Sequence, residues 1–153
     1  MGALGLHTDP MKAWACVASV SLALASLSGC SSRLPELPDR ADSAVKAEEA
    51  RVVTVLGADR SVLGEPGVCT VRLLGQEAGA TFVWAYCQAL ESSQATSLPL
   101  RIDGSKVTKP GDGAANEPTL RKMFPEDLAE FVLNNQDSPE LRPLATPPSW
   151  PAG

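Results

Sequence analysis

Few side chains in this sequence are equipped for chemistry: thiols at Cys16, Cys30, Cys69 and Cys87, one imidazole at His7, and carboxylates at two suggestive spacings. The thiols stand far apart, with no C-x-x-C pair, and there is no phosphate-binding G-x-x-x-x-G-K-[ST], no G-x-S-x-G nucleophile turn and no EF-hand loop. Glu126 and Glu130 fall at i and i+4 of an expected helix, so they share a face. A solvated face accounts for that spacing as well as an acid and base pair does, and is the expectation. Asp112, Asn116 and Glu117 could offer oxygen ligands to Ca²⁺. The same stretch reads as a turn at Pro110, Gly111 and Gly113, then Asn116 or Glu117 capping a helix that begins with Pro118. The turn is the expected reading, and no metal or cofactor is called for.

The N-terminal region carries an address. Lys12 precedes a run from Ala13 to Leu27 without charge or proline. As a helix it would span about 22 Å at ~1.5 Å per residue, short of the roughly 30 Å hydrocarbon core, which suits a signal-peptide h-region better than a permanent span. Leu27-Ser28-Gly29-Cys30 then resembles the lipobox of bacterial lipoproteins. The resemblance implies cleavage before Cys30, a diacylglyceryl group on that residue, and attachment to the extracytoplasmic face of the cell membrane. Each buried CH₂ of such a lipid contributes about 0.8 kcal/mol. The alternative is an ordinary secretory peptide in which Cys30 is incidental. Asp9 and Pro10 suit a signal peptide poorly whereas Met11-Lys12 suits it well, so translation is expected to start at Met11.

Cleavage there leaves residues 30–153 with no histidine, since His7 lies in the removed part. Ser-His-Asp and Cys-His catalysis and histidine-bearing zinc or haem sites then fall away. The full chain has 13 Lys and Arg against 18 Asp and Glu, and losing Lys12 and Asp9 together keeps the net charge at −5. An acidic chain lacks the clustered cations that phosphate binding requires, so nucleic acid is not an expected partner. With Cys16 removed and Cys30 carrying lipid, Cys69 and Cys87 are left to pair as a disulfide, which an exported domain permits.

The remaining pattern describes the scaffold. Residues 30–38, with Pro35 and Pro38, read as a lipidated tether. Asp39 could cap a helix in which Ala41, Ala44, Val45, Val52, Val53 and Leu56 recur at helical spacing until Gly57. Val68–Leu74 and Thr81–Cys87 switch to period two and predict an antiparallel hairpin. Opposing Cys69 to Cys87 puts Val71 across from Ala85 and Leu73 across from Val83 on one apolar face. The other face then carries Thr70, Arg72 and Leu74 opposite Tyr86, Trp84 and Phe82. Two readings of it stand open: a second core layer under a C-terminal helix, or a binding face of Arg72, Phe82, Trp84 and Tyr86, with Arg72 over Trp84 as a cation–π contact.

Leu98, Leu100 and Ile102 alternate before a turn at Asp103-Gly104, and Pro118–Met123 and Phe124–Val132 read as helices. Five prolines among residues 138–153 predict a disordered tail with Trp150 its one anchor. The expectation is a single α+β domain over 39–137, with a small antiparallel sheet (hairpin 68–90, further strands within 97–109) covered by an N-terminal and a C-terminal helix. Val68–Phe124 is also similar to small extracytoplasmic proteins of uncharacterised families from high-GC bacteria, a resemblance that assigns no functional residue. The functional expectation is a non-enzymatic, lipid-anchored domain that binds an envelope protein or small ligand. The alternatives are a structural lipoprotein without a pocket and, third, a histidine-free hydrolase using paired carboxylates.

Overall fold

The computed structural model of the protein describes residues 35–143. The expected signal peptide, Cys30 and Trp150 lie outside the described residues. Helix α1 spans Ser43–Ala58 and turns Val45, Val52 and Leu56 inward. Its cap is Asp42, whose carboxylate accepts from the Ala44 N–H at 2.8 Å; Asp39, the expected cap, closes a separate turn by accepting from Ala41 N–H at 2.9 Å.

Four strands follow: β1 (Gly67–Glu77), β2 (Ala80–Ala89), β3 (Ala95–Asp103) and β4 (Lys106–Thr108), antiparallel and in chain order across the sheet. The expected hairpin register holds from Cys69↔Cys87 through Leu73↔Val83. Beyond that it slips, because Leu74 is bulged and Gly75, not Leu74, faces Phe82. The extra residue carries pairing on to Glu77↔Ala80, so the stretch expected as a loop is strand closed by Ala78 and Gly79, both at positive φ.

A 3₁₀ turn at Gly113–Ala115 leads into α2 (Asn116–Met123), followed by α3 (Glu126–Asn134). Neither Asn116 nor Glu117 caps α2: both lie within its first turn, and the cap position is Ala115. The fold is therefore α+β, a four-stranded antiparallel sheet with three α-helices.

Period two gives the sheet two apolar faces, and each has its own core. On one, Val71, Leu73, Val83, Ala85, Leu100 and Ile102 meet Val45, Val52 and Leu56 of α1. On the other, Leu74, Phe82 and Trp84 meet Leu120 and Met123 of α2, Phe124, and Leu128, Phe131 and Val132 of α3. At about 25 cal/mol per Å² of apolar surface removed from water, these two layers supply most of the force that holds the domain.

Residues 138–143 do not behave as the start of a disordered tail. Leu141 has 0% exposure and belongs to the second core, and the segment is pinned by Arg40, which donates to the carbonyl oxygens of Glu140 at 2.6 Å and Arg142 at 2.8 Å. Proline bars helix and central strand but not a loop whose carbonyls are gathered by a guanidinium. The last part of the expected tether packs as well: Leu37 lies against the second core and Pro38 accepts a hydrogen bond from Arg72.

Candidate functional site

The six residues of the aromatic face lie on one side of the β1–β2 hairpin, with Thr70↔Tyr86 and Arg72↔Trp84 directly opposed. Helices α2 and α3 roof most of it. Phe82 is 3% and Trp84 6% exposed, and the Phe82 ring packs on Phe124 with centroids 5.0 Å apart. The second-core reading therefore describes Phe82 and the body of Trp84.

Arg72 does not use Trp84 as a cation–π platform. Buried at 4% exposure, it donates from Nη2 to Pro38 O at 2.7 Å and from Nε to Glu140 O at 3.4 Å, with Glu49 Oε1 3.9 Å from Nη1. Charge-assisted hydrogen bonds to carbonyl oxygens outweigh a ring face at a desolvated site. Burial lowers its pKa, Arg40 pushes the same way, and Glu49, Asp39 and Glu140 oppose them. The cation–π contact among the described residues is Arg101 over Phe82, at 5.9 Å.

The roof does not reach the Tyr86 end. β4 pairs only with Arg101–Asp103, so at Pro99 β3 is an edge strand, where a residue without N–H is tolerated. Tyr86 is half-buried there, and a cleft of about 690 Å³ opens beside it. Its floor is Thr70, Trp84 and Tyr86, and one side is Ser97, Leu98 and Pro99 of β3. Asn116 and Leu120 of α2 face them, and Gln136, Asp137, Arg142 and Pro143 complete the rim. The size is that of a small-molecule or short-peptide site.

Two polar groups lie at its base. Trp84 Nε1 donates to Ser97 Oγ at 2.7 Å, which fixes the indole. Thr70 Oγ1 is buried with no hydrogen-bond partner among the described residues. A buried hydroxyl left unpaired costs on the order of 1–3 kcal/mol.

Cys69 and Cys87 form the expected disulfide, S–S 2.06 Å and Cα–Cα 4.1 Å. Each is the chain neighbour of a floor residue, Thr70 or Tyr86, so the bridge ties together the two strands beneath the cleft. Glu126 and Glu130 are not at the cleft: Glu126 is exposed, and Glu130 pairs with Arg121, which also binds Glu117 at 2.9 Å. Asp112 precedes the 3₁₀ turn while Asn116 and Glu117 open α2, and among the described residues no group of three or more His, Cys, Asp or Glu could hold a metal ion. No described helix is long and apolar enough to cross a membrane.

The sequence pointed to Trp84 and Tyr86 but not to the rest of the cleft. A signal for Ser97 and Pro99 existed: since Leu98, Leu100 and Ile102 alternate, Ser97, Pro99 and Arg101 fall on the aromatic face. Gln136 and Asp137 had none, lying past the last periodic residues of the final helix, and Arg142 and Pro143 fell in the stretch expected to be disordered. No family model, curated protein or solved structure matches the chain.

Proposed function

We propose that this chain is a lipid-anchored domain on the extracytoplasmic face of a bacterial cell membrane, non-enzymatic, which binds an envelope protein segment or small ligand in the cleft over Tyr86. The observation that carries the binding role is the unroofed end of the aromatic face, where Thr70, the Trp84 edge and Tyr86 line one concavity. The mixed lining suits a ligand with an apolar body and one hydrogen-bonding group. The lipobox resemblance at Leu27–Cys30 supports the anchor.

Each half has its own test. A photoreactive residue at position 136, on the cleft rim, should give a crosslinked species in intact cells that is absent from position 77, on the exposed hairpin end, and is weakened by Tyr86→Ala. Equal capture from both positions, or indifference to Tyr86→Ala, would overturn the cleft as the binding site. Cys30→Ala should move the protein from membrane fraction to uncleaved precursor or soluble material, and unchanged mass and fractionation would remove the lipid anchor.

The second reading, a structural lipoprotein acting without a pocket, draws on the burial of Phe82 and Trp84. For a paired-carboxylate hydrolase the cleft offers less: Asp137 is the one carboxylate among its described lining residues.

A further inference from the structure

The chain leaves part of one edge of its own sheet unpaired. In an antiparallel ladder, rungs that exchange main-chain hydrogen bonds alternate with rungs that do not. The Ala89 N–H donates to Gln94 O at 2.9 Å, and the same register makes Cys87↔Thr96 and Ala85↔Leu98 bonded rungs. Ala95, Ser97 and Pro99 therefore turn their main-chain groups away from β2. β4 takes up those of Arg101 and Asp103 through Thr108 and Lys106. The next such rung would join Pro99 to Pro110, and neither has an N–H to give. Self-pairing ends there. Ala95 and Ser97, both exposed, present two N–H and two C=O groups that no main-chain group elsewhere among the described residues takes up. A row of that kind is a template for another extended chain.

The ground on both sides of this edge is concave. Ser97 lines the aromatic cleft, and Gln94, Thr96 and Leu98, of the opposite parity, line a second hollow of about 280 Å³ beside Lys109. Side chains of an added strand alternate between the faces of the sheet, so successive residues enter the two hollows in turn. We propose that a partner protein adds an extended segment to β3 at residues 95–97 as a fifth strand, with an apolar or aromatic side chain reaching over Ser97 toward Tyr86. This rests on the cleft as the binding site and names what enters it: main-chain bonds supply the hold, and the cleft selects the side chain. A second copy of the chain fits less well. Pairing two β3 edges about Ser97 would bring only Ala95, Ser97 and Pro99 toward a cleft of about 690 Å³, side chains too small to fill it. The bonded positions also run out at Pro99, which leaves too short a seam for a stable dimer.

The test titrates the isotope-labelled full chain with blocked peptides of the pattern Thr-X-Thr-X-Thr, X being Val, Leu, Phe or Tyr, and follows single amides by nuclear magnetic resonance. Exchange with solvent should slow several-fold at the Ala95 and Ser97 amides, while Thr96 and Leu98, already bonded to β2, keep their rates. Methylating alternate peptide N–H groups should abolish this protection in one phase and spare it in the other. Protection that no peptide produces, or shifts confined to Trp84 and Tyr86, would overturn strand addition. So would protection of Ala95 and Ser97 that grows with protein concentration without peptide, which would assign the edge to a second copy. In cells, capture from position 136 should fall roughly five-fold or more in Ser97→Pro, which removes the outward N–H, relative to Ser97→Ala, which keeps it. Both variants lose the bond from Trp84 Nε1, so their difference reads the main chain alone. Capture that is equal in these two but lost in Tyr86→Ala would overturn the fifth strand and leave the cleft standing, whereas indifference to Tyr86→Ala would remove the cleft itself.

Discussion

Arg72 Nη2 donates to the carbonyl oxygen of Pro38 over 2.7 Å, joining a buried position of β1 to the segment that enters the domain. The same guanidinium reaches Glu140 O on the segment that leaves it, at 3.4 Å. Arg72→Met should destabilise the domain by roughly 1–3 kcal/mol through the carbonyl groups it leaves unpaired, read as a lower urea midpoint. Limited proteolysis should then cut near residues 38 and 140 together. Arg72→Lys should not restore them, because one ammonium cannot reproduce the planar fork.

Neighbouring positions of β2 should separate stability from binding. Trp84 lies in the second core, so Trp84→Ala should cost about 3–5 kcal/mol by thermal or urea unfolding. Tyr86→Ala, at the half-buried cleft floor, should cost distinctly less and yet abolish crosslink capture by the cleft from a reporter placed at position 97. A cheap Trp84→Ala would contradict its place in the core.

The disulfide should be complete in the protein isolated from cells under non-reducing conditions. Alkylation without reduction should leave Cys69 and Cys87 unmodified by mass, and reduction should expose two sites. Replacing both with Ala should cost on the order of 3 kcal/mol for a loop of this size, as a fall in the unfolding midpoint.

Acid should loosen the distal end of the hairpin. Glu48 accepts from Arg51 at 2.7 Å and from Thr81 Oγ1 at 2.7 Å, and these bonds, the Arg51 one foremost, hold its pKa at about 2 against an ordinary 4.5, although burial pushes it up. A carboxylate whose pKa is lower folded than unfolded contributes stability that is complete above its unfolded value and fades as pH falls toward the folded one. The unfolding midpoint should therefore drop between about pH 4.5 and 2, and Glu48→Gln should flatten that part of the profile.

Much of the scaffold could be read from period and pairing alone. Cys69 and Cys87 fixed one rung of the hairpin, and alternation carried the register to Leu73 and Val83. It failed at Leu74, where the strand bulges. Next to that bulge, on an edge strand, the N–H of Leu73 is taken by Glu49 of α1 at 2.8 Å, a bond between residues 24 positions apart that no local pattern encodes. The cleft was half legible for a similar reason. Trp84 and Tyr86 announce themselves by type, whereas Arg142 and Pro143 reach the rim because Leu141 is buried in the second core and Arg40, about a hundred residues earlier, gathers the carbonyls around them. Composition identifies a proline-rich stretch but not a distant cation that orders it.

The meeting on Arg72 of the segments at Pro38 and Glu140, by which the chain enters and leaves the domain, gives the domain the topology of a nearly closed ring. Residues 38 and 140 are each bonded to one guanidinium, so a linker that leaves residues 141–143 in place could run from Pro143 back to the segment before Pro38, and the Ala78-Gly79 turn is a natural place to cut the circle open elsewhere. A chain permuted in that way would keep Leu141 in its core and Arg142 and Pro143 at the cleft while moving its termini to the far end of the hairpin. The fold is thus a portable cassette: it can be set into a surface loop of another protein with entry and exit side by side, and neither needs to cross the sheet.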